Sequence, residues 1–177
     1  MTDGELIKQY RNGDESAFET LYHKYRKPLY SYLNSILPGQ PEAADDLYQQ
    51  VWMRILKQMH RYRERQKFIS WAFRIAHNLA VDYFRAGKRR DEVLTDAPNG
   101  ADTAPAPDGR LQQRELREAL ETAVSELPVE QREVFLLRRD GVPFKEIARI
   151  QSTSVNTALG RMRYAINNLR ATLYDWS

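Results

Sequence analysis

Cysteine is absent from the 177-residue chain, so neither a disulfide nor a thiolate metal site can form. Histidine is scarce: His23, His60 and His77 have no partner four residues away, and no metal centre is expected. No apolar run approaches the ~20 residues that span a bilayer, which predicts no membrane insertion. The opening stretch, MTDGELIKQY, has neither a basic n-region nor an apolar h-region, so no secretory signal and a cytoplasmic location are expected. Also missing are a glycine-rich phosphate loop and a nucleophile with a base at useful spacing. Asp45 and Asp46 are adjacent, and on a helix they diverge by about 100°, too far to act as a carboxylate pair. These absences argue against an enzyme and against a bound cofactor.

Charge is present, but unevenly. Residues 1–90 carry 16 Lys/Arg against 10 Asp/Glu, whereas residues 91–177 carry 11 against 14. The excess concentrates in residues 54–90, with 11 basic and 2 acidic side chains. Within it, HRYRERQKFISWAFRIAHNLAVDYFRAGKRR (60–90) interleaves six aromatics with nine cations. Such a block serves either a solvated helix face or a polyanion whose bases can be reached.

The periodicity is helical throughout. Helices are expected over Asp3–Arg11, Glu15–Leu37 and Glu42–Met59, with Asp14 as a cap, PGQP (38–41) as a breaker and Pro41 opening the third. A fourth is expected over 66–87. The composition then changes: DEVLTDAPNGADTAPAPDG (91–109) has three prolines, two glycines, five acids and no basic residue. It is read as a flexible acidic linker, 92–110, spanning about 25 Å as a coil and about 65 Å extended. Helices resume over Leu111–Glu126, Val129–Arg139 (with Pro128 at N1), Phe144–Ile150 and 155–174. The expected fold is all-α: an N-terminal helical bundle (1–91) joined to a four-helix helix-turn-helix domain (111–177).

In the last helix, Val155, Ala158, Leu159, Met162, Ile166, Leu169 and Leu173 share one arc and should face the core. Asn156, Thr157, Gly160, Arg163, Tyr164 and Asn167 take the opposite arc, with Arg161 beside it and Ser154 as N-cap. An exposed mid-helix glycine costs about 1 kcal/mol relative to alanine. A helix that lies close against a groove wall has a use for Gly160; an ordinary helical hairpin has none. Asn and Arg at the start of such a helix can bond base edges, and Thr can offer a methyl group.

The helix at 66–87 divides similarly. Phe68, Ala72, Ile75, Leu79, Tyr83 and Ala86 form an expected buried arc, and Trp71, Arg74, Asn78, Asp82 and Arg85 a neighbouring stripe. Ahead of it, RYRERQKF carries four cations and two aromatics, a composition suited to a single-stranded backbone with unstacked bases. Each base stacked on a ring gains about 1–3 kcal/mol, comparable to the few kcal/mol that extruding a base costs.

Three stretches carry a resemblance: EAADDLYQQVWMRILKQM, FISWAFRIAHNLAVDYFR, and LPVEQREVFLLRRDGVPFKEIARIQSTSVNTALGRMRYAINNLR. Together, and in this order, they resemble a bacterial RNA polymerase sigma factor of the extracytoplasmic-function (ECF) group of the sigma-70 family. The resemblance implies that the first domain recognises and opens the −10 promoter element. Arg63, Arg65, Gln66, Lys67 and Phe68 would capture a flipped base, with Trp71, Arg74, Asn78 and Arg85 holding flanking DNA. It implies −35 recognition by Ser154, Asn156, Thr157, Gly160, Arg161 and Tyr164, with Lys145 on phosphate. It implies that Asp46, Gln49, Gln50 and Arg54 dock on the β′ coiled-coil of core polymerase, with the β subunit and an anti-sigma factor as further partners.

Three departures stand out against that pattern: Gln50 where Glu is frequent, Ser152 where the turn usually has Gly, and Leu159 where a basic residue is common. Two other readings fit parts of the chain. A stand-alone helix-turn-helix regulator accounts for the second domain and leaves 60–90 and the acidic segment unexplained. A helical adaptor making only protein contacts predicts little salt dependence.

Overall fold

Helix ends in this chain are set by short local signals, and most appear where the sequence places them. In the computed structural model, which describes residues 1–63, 67–91 and 111–174, the first helix, α1 (Asp3–Arg11), starts with a capping box. Thr2 accepts from the Glu5 amide while the Glu5 carboxylate accepts from the Thr2 amide. Asp14 caps α2 (Glu15–Ile36) through the Ser16 amide. Pro28 lies inside α2, where it removes one main-chain donor without ending the helix. Pro41 supplies the first residue of α3 (Pro41–Gln58).

The next helix, α4, runs Phe68–Asp91, starting after the expected position and continuing past Gly87. Then come α5 (Leu111–Glu126), α6 (Val129–Arg139), α7 (Phe144–Ile150) and α8 (Val155–Thr172). Pro128 stands as N-cap of α6 rather than at its first helical position. Among the described residues there is no strand, and no helix is long and apolar enough to cross a membrane. The expected acidic linker, 92–110, lies outside the described residues.

The chain divides into two units, Met1–Thr95 and Asp96–Ser177. In the first, α2 packs on α1, α3 and α4, and α3 packs on α4. Its centre holds Leu21, Leu29, Tyr32, Leu33, Ile55, Met59, Phe68 and Phe73, all essentially inaccessible. In α4 the buried arc is wider than expected: Phe73, Ala76 and Ala80 join Phe68, Ala72, Ile75 and Leu79. Both α2 and α3 pack on α4, which encloses more of its circumference than one neighbour would. Tyr83 is half-buried, its hydroxyl donating to Gln40 Oε1 at the start of α3, and Ala86 is exposed.

In the second unit α8 packs on α5, α6 and α7 around Val134, Leu136, Leu137, Val142, Ile147, Ala158 and Ala165. Val155 and Leu159, expected in the core, are 41% and 39% exposed, and Ala165 is buried in their stead. The buried residues of α8 are Ala158, Ala165 and Leu169, so the side it turns to α5, α6 and α7 is narrower than the expected arc.

Three helices end alike. After α1, α6 and α7, the second residue beyond the last helical one adopts positive φ: Gly13 (100°), Gly141 (84°) and Ser152 (53°). At each end two reversed bonds close the turn, for example Ser152 N–H to Arg149 O at 3.2 Å and Thr153 N–H to Ala148 O at 2.9 Å. Two of these positions have the residue this backbone favours. The third, in the turn of the helix-turn-helix, has serine.

Candidate nucleic-acid interface

At the second unit's turn, Ser154 caps α8: its Oγ accepts from the Thr157 amide at 3.1 Å and bonds the Thr157 hydroxyl at 2.9 Å. That fixes the first turn of α8, from which Asn156 and Thr157 project exposed. Tyr164, two turns along the same face, is 64% exposed. Lys145 is exposed on α7. A Cβ on Gly160 would meet nothing within 4 Å, so packing inside the chain does not demand glycine there.

Arg161 is held differently from the rest. Its Nη1 donates to Gln151 Oε1 at 2.8 Å, and its Nη2 lies 3.6 Å from the Glu130 carboxylate. The Gln151 amide nitrogen in turn donates to Glu130 O at 3.0 Å and to the buried Glu133 Oε1 at 2.9 Å. Gln151 therefore ties α6 to α8 through the turn, and Arg161 sits at the margin of the exposed face as part of that tie. Arg163 is exposed within the face itself.

A second arginine, from the LPVEQREVF run, is buried. Arg132 donates to the carbonyls of Val124 (3.1 Å), Ser125 (2.8 Å) and Leu127 (2.7 Å), which lie at and just beyond the C-terminal end of α5. Burial pulls its pKa below the usual arginine value. Val124 O also accepts from the Leu127 amide at 3.2 Å, and one planar guanidinium gathers the three carbonyls at this helix end. Burial pushes the Asp140 carboxyl in the opposite direction, above the ordinary aspartate value, against the opposing pull of Arg139.

In the first unit the stripe on α4 forms as expected: Arg74, Asn78 and Arg85 are exposed, and Trp71 is half-buried at its head. Arg63 and Lys67 are exposed; Arg65 and Gln66 lie outside the described residues. Phe68 corrects the expectation. At 1% exposure it is a core residue, its ring 5.2 Å from Tyr25 and 5.7 Å from Trp71. It cannot accept a base without being unpacked. The ring that flanks Trp71 is Tyr62, centroids 4.6 Å apart.

On α3, Asp46, Gln49, Gln50 and Arg54 are exposed, as a docking surface requires. Two residues outside the expected set share that side: Met53, 57% exposed, and Leu56, 37%. Their signal in the sequence is being apolar where the helical period calls for polar residues. Below this face Trp52 is buried against Tyr22 (4.9 Å) and Phe18 (5.9 Å).

Residues 21–90 match sigma-70 region 2, and residues 117–163 match sigma-70 region 4. The chain is 29% identical to the ECF RNA polymerase sigma-E factor of Escherichia coli (strain K12), with 95% of this chain and 94% of that one covered. It belongs to the sigma-70 family, in its ECF group. It is therefore an RNA polymerase sigma factor, which leaves the stand-alone regulator and the adaptor without support.

The ECF sigma factor SigW of Bacillus subtilis (strain 168) is 27% identical, covering 96% of this chain and 95% of SigW. Two solved structures share the fold. One is the sigma factor RpoE in complex with the anti-sigma factor NepR from Bartonella quintana (TM-score 0.70, 19% identity, 89% of this chain and 96% of RpoE). The other is CnrH in complex with the cytosolic domain of CnrY (TM-score 0.69, 24% identity, 99% of each chain). The region 2 match includes α3 and the stripe on α4. The region 4 match takes in Lys145 to Arg161 and stops at Arg163, one residue short of Tyr164. Helix α1 precedes both.

Proposed function

We propose that this sigma factor directs core polymerase to its promoters through a division of labour between residues 1–91 and 111–177. The first unit holds and opens the −10 element: Arg74, Asn78 and Arg85 bind flanking backbone, Arg63, Arg65, Gln66 and Lys67 take the displaced strand, and Trp71 offers a face for a base. The second reads the −35 element in the major groove with Asn156, Thr157, Gly160 and Tyr164, Lys145 and Ser154 bonding phosphate. Arg161 contributes from the edge. Core polymerase binds the face of Asp46, Gln49, Gln50 and Arg54, with Met53 and Leu56 as its apolar centre.

The observation that carries this reading is the exposed cationic stripe of α4 continuing from the Tyr62–Trp71 ring pair within the region 2 match. Cations alone bind duplex; rings beside them suit bases taken out of the stack. Chemistry is left to the polymerase, and the protein works in the cytoplasm without a cofactor. The RpoE and CnrH complexes support an anti-sigma factor as a further partner. Run-off transcription with purified core enzyme on a genomic fragment library tests the proposal. Defined start sites that vanish without this protein are expected; random initiation unaffected by it refutes the reading. On a promoter so found, Trp71→Ala combined with Arg74→Ala should reduce strand opening while leaving core binding unchanged.

A further inference from the structure

Arg11 makes a long-range polar connection in the first unit, and it does so from α1, outside the stretch that matches region 2. Its Nε and Nη2 donate to Met59 O at 3.1 and 2.9 Å, and Nη2 also donates to Tyr62 O. Met59 is the C-cap of α3, and Tyr62 starts the strand of chain that leads to Arg63. Capping free carbonyls at a helix end needs only one cation. Bridging two carbonyls three residues apart does more: it fixes the direction in which the chain leaves the helix. A guanidinium has the fork for this and an ammonium does not. Beside it Tyr10 packs on His60, centroids 5.9 Å apart, so the end of α1 holds the same turn twice.

That turn bears the ring on which the candidate opening site depends. Tyr62 is 7% exposed, and Trp71 leans on it at 4.6 Å. We infer that Arg11 is a positioning residue for strand opening: by fixing the 59–63 turn it holds Tyr62, and Tyr62 sets the face that Trp71 presents to a base. The inference rests on the −10 reading above. It adds α1, through a residue that touches no DNA, to the machinery that separates strands.

The test compares holoenzymes formed with wild-type, Arg11→Ala and Arg11→Lys chains on a promoter recovered by run-off transcription. One template is fully duplex; the other is a heteroduplex already unpaired across the −10 element. Permanganate reactivity of unpaired thymines reports opening, and a core-binding titration is run in parallel. For Arg11→Ala, opening of the duplex should fall at least tenfold, with the heteroduplex complex and core affinity within twofold of wild type. Arg11→Lys, which keeps the charge but not the fork, should fall in between. Wild-type opening by Arg11→Ala overturns the inference, as does equal loss on both templates. Should Arg11→Ala not fold, Arg11→Lys decides by the same comparison. If the wild-type holoenzyme opens no promoter, the −10 reading fails and the inference with it; if only the variants behave as wild type, the −10 reading stands alone.

Discussion

Single residues in this sigma factor show where its sequence departs from what its backbone favours. Ser152 occupies a left-handed position that glycine fills after α1 and α6. A non-glycine residue there costs about 1–2 kcal/mol, offset in part by the extra chain entropy that glycine loses on folding. Ser152→Gly is therefore expected to stabilise the second unit by roughly 0.5–1 kcal/mol, read as a higher urea midpoint with unchanged slope. Asp140 is a second such site: its Oδ2 is buried without a hydrogen bond, and burial raises the pKa of its carboxyl. With a folded-state pKa above the unfolded one, its favourable contribution is complete below the unfolded value and lost as pH rises through the folded one. Asp140→Asn should raise the melting temperature at pH 7, and the gain should shrink as pH falls into the carboxylate range. A gain independent of pH would point to packing instead of charge.

Among elements, the joints matter more than the helices they connect. The α5–α6 joint hangs on Arg132, whose removal takes a charged donor from three carbonyls, of which Val124 O keeps a bond from the Leu127 amide. Arg132→Met keeps the apolar stem, yet should cost about 3 kcal/mol, since the lost bonds are charged and buried. Urea unfolding measures it. The α7–α8 joint hangs on Gln151, bonded to Glu130, Glu133 and Arg161. Gln151→Ala and Arg161→Ala should each weaken −35 binding, and the double variant should lose little more than either alone. Additive losses, measured by the same titration, would mean that Arg161 binds DNA independently of this tie. Helix extents were largely legible because caps and breakers are local: Asp14, Pro41 and Ser154 act within a few residues of themselves. Arg11, Arg132 and Gln151 left weaker traces, because their partners are carbonyls or lie elsewhere in the chain.

For the whole molecule, charge and function meet in salt dependence. With Arg74 and Arg85 exposed on α4 and Lys145 and Arg163 exposed on α7 and α8, promoter binding by holoenzyme should weaken steeply between 50 and 200 mM salt, by about 10³–10⁵ if 6–10 phosphates are neutralised. A flat response, measured with core binding saturated, would remove phosphate contacts as the main source of affinity. The stripe on α4 was readable because its spacing follows the helical period. Phe68 misled because position along the chain put it at the end of a basic loop, whereas Tyr25, Tyr62 and Trp71 enclose it. Val155 and Leu159 misled for a related reason: periodicity says which residues share a side, but only the packing partners decide how far that side is covered.

The amino-acid sequence by itself determined the all-helical fold, the order and approximate extents of the helices, the exposed polar face of α8 and the family, all of which depend on short-range periodicity, capping and motif order. The tertiary structure alone decided which rings flank Trp71, that Arg161 is tied back to Gln151 and Glu130, and that Arg11 grips the turn after α3. Those outcomes depend on side chains from different turns and helices meeting in space, and no local pattern encodes such a meeting.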